Sequence, residues 1–207
     1  MKQRIVTGLI LGLAGGGLLS GMLIPFFFES QSLWYKFGIE KAMLQWGKSA
    51  GLLAVGLMAC QVLWVSRSAV LDRAVSLKRR FSVHRACGVV ILVLAVIHPV
   101  LILWADRFAL FPLERRYWPE FLGILVAVLV LVVAASSLWR DRLNISAKGW
   151  RRFHRFSTPV VTVLALVHAG AVSETFDFIL PGIWLGIIAL TFLALLAGIY
   201  IKRGAGK

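Results

Sequence analysis

Acidic residues are scarce in this chain. Nine Asp and Glu stand against 23 Lys and Arg in 207 residues, and charged residues of both signs make up only 15%. A chain so poor in charge, 59% hydrophobic and with a mean hydropathy of +0.85, lies outside the range of a soluble globular domain. It reads as an integral membrane protein. The short alternating segments of a transmembrane β-barrel are missing. Ser/Gly linkers, low-complexity tails and soluble extensions are missing too, so residues 1–207 read as one membrane domain. Cysteine is limited to Cys60 and Cys87, which lack a CxxC spacing. They imply neither a disulfide framework nor a zinc site, and they read as small apolar core residues.

What the chain does have is apolar length. A bilayer core of roughly 30 Å takes about 20 mostly apolar residues per helix, and six such stretches occur, at 5–26, 49–66, 84–105, 121–139, 155–173 and 180–201. The expected fold class is an all-α, six-transmembrane-helix bundle. The first stretch resembles a signal peptide, but it is as long as a full span and is expected to be retained.

Charge follows the spans. Lys2 and Arg4, then Arg67, Arg73, Lys78, Arg79, Arg80 and Arg85, then Arg140, Arg142, Lys148, Arg151, Arg152 and Arg155, and finally Lys202, Arg203 and Lys207 fall on one side. Seven of the nine acids, all but Asp72 and Asp141, fall on the other. The positive-inside rule makes both termini cytoplasmic, and the expected location is a bacterial inner (plasma) membrane. The basic residues form no single soluble face and are not interleaved with stacking aromatics, so no nucleic-acid partner is expected.

Several features invite readings that their context does not support. The glycines of GLAGGGLLSG lack the strand before and the helix after that a phosphate loop needs, and read as close helix packing. Trp34, Trp46, Trp104, Trp118, Trp139, Trp150 and Trp184 fall near span ends and read as an aromatic belt. FGIEKAMLQWGK, from Phe37, has the look of a short interfacial helix.

Histidine is rare, and its placement is regular. The chain has four, His84, His98, His154 and His168, and they form two pairs of the same 14-residue spacing offset by 70 residues. RRFSVHR and RRFHR place a basic cluster just before the first member of each pair. Fourteen residues advance a helix by about 1400°, some 40° short of four turns, and about 21 Å along the axis. Both histidines of a pair therefore share a face, one near each membrane surface. The third and fifth spans run parallel, so His84 levels with His154 and His98 with His168. A single buried histidine is equally well an interhelical hydrogen-bond partner or a proton relay. Zinc would want thiolates, carboxylates or a third imidazole at each level. Two levels of two imidazoles suit haem, which takes an axial ligand on each face within an apolar slot.

The neighbours extend this reading. Gly88 lies one turn past His84, where a missing side chain would let a porphyrin approach, although helix packing explains one glycine as well. Arg85 and Arg155, with other arginines of the two clusters, stand at the level where propionates would lie. Pro99 and Pro159 could kink their helices.

HRACG with the later His98, and HR with the later His168, resemble the ferric reductase transmembrane domain family over nearly the whole chain. That family includes ferric reductases, NADPH oxidases and a bacterial haem subunit feeding periplasmic methionine sulfoxide reductase. The resemblance implies two b-type haems, held by His84 with His154 and by His98 with His168, which carry electrons across the membrane. It implies an electron-transfer subunit of a membrane oxidoreductase rather than a complete enzyme. The flavin and NADPH domain usual in ferric reductases and NADPH oxidases has no counterpart here. Electrons would then come from a separate cytoplasmic-side donor (a flavoprotein or quinol), or through a bound flavin or quinone, and leave to an outer-side acceptor protein or small molecule. The methionine sulfoxide reductase subunit is nearer in size but usually has arginine where His84 stands. Cytochrome b of quinol-oxidising complexes is a weaker likeness, without a PEWY-like motif and with ligands on other helices. The alternative outside redox chemistry is a transporter or scaffold with proton-relay histidines.

Overall fold

The chain is described by a computed structural model over residues 2–66, 69–109 and 113–204. Arg67 and Lys207 of the basic tally lie outside the described residues, as do the side chains of Lys2, Arg4, Lys202 and Arg203. The helices are α1 (Lys2–Phe27), α2 (Gly38–Val65), α3 (Ala69–Ala74), α4 (Leu77–Ala105), α5 (Trp118–Leu138), α6 (Ala147–Val172) and α7 (Ile179–Gly204). Among the described residues there is no strand. All but α3 are long and apolar enough to cross a membrane, which makes this a six-span all-α membrane protein. The alternation brings the basic clusters to one end of the bundle, here called the basic end.

Three spans begin earlier than their apolar runs, for identifiable reasons. α4 starts at Leu77 because Ser76 caps it, its Oγ accepting the Arg79 N–H at 3.4 Å. α6 starts at Ala147, where the Ser146 Oγ accepts the Gly149 N–H at 3.1 Å. Both basic clusters are therefore helical, and His84 and His154 lie about two turns inside their helices. α2 absorbs all of FGIEKAMLQWGK past Phe37, so the separate interfacial helix expected from sequence is its first turns. No proline interrupts this run, and Gly47 costs an exposed helix only about 1 kcal/mol. Pro99 and Pro159 lie within continuous helices, α4 and α6.

α2 packs along α4, α5 along α6, and α1 and α7 against α2. A buried cluster with Val55 and Ala59 of α2, Ile91 of α4, Val126 and Val130 of α5, Val161 and Ala165 of α6 and Phe192 of α7 joins five helices. The outward faces carry exposed Leu13, Val93, Leu131 and Leu190, which lipid solvates. Lipid tails are as apolar as leucine, so packing and interhelical hydrogen bonds hold such a bundle together. Gly8, Gly12, Gly15, Gly16 and Gly17 meet nothing within 4 Å of a built Cβ, so close packing does not explain them. Gly21 is the exception on α1, because the Trp184 ring would stand 2.3 Å from its Cβ. Trp184 also donates to the Gly17 carbonyl at 2.9 Å, so it joins α1 to α7 instead of only lining the headgroup layer.

Arg80 closes the basic end. It is 1% exposed, and its guanidinium donates to the carbonyls of Trp64, at 3.0 Å, and Ser66, while pairing with Asp72. These are carbonyls at the end of α2, so the arginine caps one helix from the start of another. At the far end, Arg107 and Phe108 both take left-handed φ values, 53° and 57°, as α4 ends. Such residues cost of order 1 kcal/mol or more and persist only when neighbours fix them. Arg107 is fixed by Glu40 at 2.9 Å and by the Trp34 ring, 4.9 Å from its guanidinium carbon.

Candidate functional site

α4 and α6 bring the four histidines together in two pairs. The rings of His84 and His154 have centroids 6.1 Å apart, and those of His98 and His168 are 6.3 Å apart. Their planes are inclined at 81° and 72°. Cross-pairs such as His84 with His168 do not form, because each pair sits at its own level of the bundle. Midway between, seven residues from each neighbour, Ile91 and Val161 put an apolar layer from the same helix faces into the core.

The far-end pair is held by backbone. His98 Nδ1 is 2.8 Å from the Gly47 carbonyl oxygen and His168 Nδ1 is 2.8 Å from that of Pro119. A carbonyl only accepts, so both Nδ1 atoms carry the proton and both Nε2 atoms present a lone pair. Each accepting carbonyl is four residues before a glycine, Gly51 and Gly123, whose N–H is its ordinary helical partner. A Cβ on Gly51 would stand 2.9 Å from His98 Nδ1, and one on Gly123 would stand 2.5 Å from His168 Cε1. The missing side chains open each carbonyl to a second donor.

The basic-end pair is held differently. Among the described residues, Nδ1 of both His84 and His154 is buried without a hydrogen-bond partner. The Trp150 ring stacks on His154, with centroids 5.1 Å apart and planes 25° apart. Gln61 donates to the His84 carbonyl at 3.0 Å, while its own Oε1 is buried and unpartnered. Gly88 meets only the Gln61 Nε2, 3.6 Å from a built Cβ, so protein packing alone does not require a glycine there.

Arg85 and Arg155 are exposed at this level, each about 100° round its helix from the histidine before it. Arg155 lines a cleft with Lys148, Arg151, Arg152, Phe156 and Tyr200. Arg80 is instead buried at the end of α2, where its Nε, Nη1 and Nη2 each have a protein partner.

The donor set can be tested against a bound group. A metal held by two imidazoles, at roughly 2.0 Å per bond with about 1.1 Å from nitrogen to ring centre, needs ring centres about 6.2 Å apart. Both pairs meet this. No group of three or more His, Cys, Asp or Glu converges among the described residues. Two imidazoles without further protein donors suit a macrocycle that brings its own four nitrogens, so the residues fit haem.

Gly47, Gly51, Pro119, Gly123 and Trp150 escaped the sequence reading. The small residues four apart in GKSAG were the available signal for Gly47 and Gly51. Trp150 read as belt because its spacing to His154 mattered only once the cluster proved helical.

Near the far end, outside the spans, Glu29 is 2.8 Å from Lys41, which holds its carboxyl below the ordinary range. Tyr35 is pushed well above the usual tyrosine range by burial and by the Asp106 carboxylate that its hydroxyl donates to.

Residues 50–166 match the family model described as ferric reductase like transmembrane component. The match includes His84, His98 and His154 and ends two residues before His168. No curated protein and no solved structure matches the chain.

Proposed function

We propose that this chain, which belongs to the ferric reductase like transmembrane component family, transfers electrons across the membrane on two b-type haems. His84 with His154 would hold one and His98 with His168 the other. The observation that carries this reading is the near-equal separation of the two ring pairs, 6.1 and 6.3 Å, at the span that bis-imidazole ligation needs. When bound, such haems would supply reversible one-electron storage.

The remaining chemistry belongs to the protein. Gly47 and Pro119 hold the Nδ1 protons of His98 and His168, which fixes the tautomer and raises the basicity of Nε2. Trp150 fixes the plane of His154. Ile91, Val161 and their neighbours exclude water between the levels. Gly88 leaves room beside His84, and Arg85 and Arg155 offer cations for propionates. With the basic end cytoplasmic, the donor is a separate flavoprotein or quinol and the acceptor lies at the outer face. Outward electron movement then runs with the membrane potential, worth about 2.3 kcal/mol per 100 mV for a full crossing.

A reduced-minus-oxidised spectrum of the purified chain tests the reading. It should show b-type bands at two haems per chain. A chain that takes up no haem under any condition of expression or reconstitution would be a proton-relay scaffold instead.

A further inference from the structure

The cleft at the basic end of α6 and α7 encloses about 400 Å³ and is lined by Lys148, Arg151, Arg152, Arg155, Phe156 and Tyr200. Its four cations follow i, i+3, i+4, i+7 along α6 and so form one stripe. Like charges at these spacings destabilise a helix, and Lys148 also lies in the first turn, where the helix end is itself positive. The described ion pairs engage Lys41, Arg80, Arg107, Arg116 and Arg140, and none involves the stripe. Even Asp141, the acid nearest in sequence, is taken by Arg140 at 2.6 Å. Topology explains why these residues stand on the basic side. It does not explain why four of them converge, unpaired, on one cleft between two spans.

The stripe is centred away from the histidine site and shares only Arg155 with it. At about 100° per residue its centre lies about 110° round α6 from His154, on the side facing α7. Its remaining lining is amphipathic. Phe156 is 74% exposed and Tyr200 51%, so an aromatic edge faces the bilayer at the level where headgroups end and acyl chains begin.

We infer that this cleft binds the phosphate diester of an anionic phospholipid, whose phosphate meets Lys148, Arg151 and Arg152 while its acyl chains run past Phe156. Guanidinium forks match phosphate oxygens in pairs, and basic pockets between spans at this surface suit acidic headgroups. A flat protein partner would not enter a cleft of this volume. The inference is independent of whether the histidines hold haem.

The test is native mass spectrometry of the full chain from mixed micelles of phosphatidylglycerol and phosphatidylcholine. Wild type should retain phosphatidylglycerol and not phosphatidylcholine. The Lys148→Gln, Arg151→Gln, Arg152→Gln triple variant should lose about a hundredfold in retention, on roughly a fivefold effect per basic residue. Arg155 is left in place because it is also a proposed propionate partner. The Arg151→Lys, Arg152→Lys variant keeps the charge and should keep most of the binding. Equal retention of the two lipids by wild type overturns the inference, and that comparison stands even if the triple variant does not fold. So does an equal loss in a Lys78→Gln, Arg79→Gln, Arg142→Gln control, which would make the effect one of net charge. Displacement of the lipid by millimolar inorganic phosphate would reassign the cleft to a soluble anion and overturn it too.

Discussion

Gly51 lies so close under His98 that a side chain cannot stand between them, because a Cβ there would be 2.9 Å from Nδ1. Gly123 stands in the same relation to His168, at 2.5 Å from Cε1. Gly51→Ala and Gly123→Ala should each push an imidazole off its carbonyl. Haem content is expected to fall from two toward one per chain, with the remaining haem spectrally unchanged. Two haems with unaltered low-spin resonance signals in both variants would remove any positioning role for these glycines.

Gly88→Ala makes the contrasting case. The added methyl meets only the Gln61 amide, at 3.6 Å, and alanine suits a helix better than glycine by up to about 1 kcal/mol, so the haem-free chain should be no less stable than wild type. Haem retention at the His84 level should nevertheless drop if the porphyrin lies over this glycine. Unchanged retention would detach Gly88 from the site.

His84→Ala should abolish one haem and His98→Ala the other, each leaving about half the pigment. The haem that survives in the His84 variant should titrate at the lower potential. Its ligands donate Nδ1–H to carbonyls, which strengthens them toward the oxidised iron. Among the described residues, the Nδ1 atoms of His84 and His154 have no such partner. Potentiometry on the two single variants reads the order directly, and a reversed order would show that hydrogen bonding at Nδ1 does not dominate.

Arg80→Met keeps the length of the side chain but strands the Trp64 and Ser66 carbonyls and Asp72. The expected cost is about 1–3 kcal/mol, that of buried polar groups left unpaired, measured by denaturant unfolding in detergent. A loss no larger than that of Arg79→Met would show that the interactions of Arg80 are not worth more than those of a neighbouring arginine.

Tyr35 supplies a pH dependence. Its folded pKa is raised above the unfolded value of about 10, so its contribution to stability is complete below that pH and is lost as pH rises through the alkaline range. Wild type should therefore destabilise above about pH 10, and Tyr35→Phe should flatten that limb. Asp106 and Glu174 are the acids that face the phenol. An unchanged alkaline limb in the variant would place the sensitivity in other groups.

The six spans and the levelling of the histidines were legible because both depend on simple periods, 1.5 Å and 100° per residue. The boundaries of α4 and α6 were not, because hydropathy ends where Ser76 and Ser146 do not. The carbonyls that orient His98 and His168 were also hidden. They belong to α2 and α5, and no local pattern says which turn of a neighbouring helix will face a ring. Arg80 looked like the other basic residues, and only its burial at the end of α2 separates it from them.

Under the proposed function, Ile91 and Val161 would separate the movement of charge from that of protons. Neither side chain can pass a proton, and the buried hydroxyl beside them, that of Thr162, donates to the Thr158 carbonyl of its own helix at 2.9 Å, whereas an electron can tunnel through such a layer. A protein working in the proposed way would be electrogenic. Each turnover would move one negative charge with no proton following it through the bundle, and current across a proteoliposome would count turnovers without any change of internal pH carried by this chain.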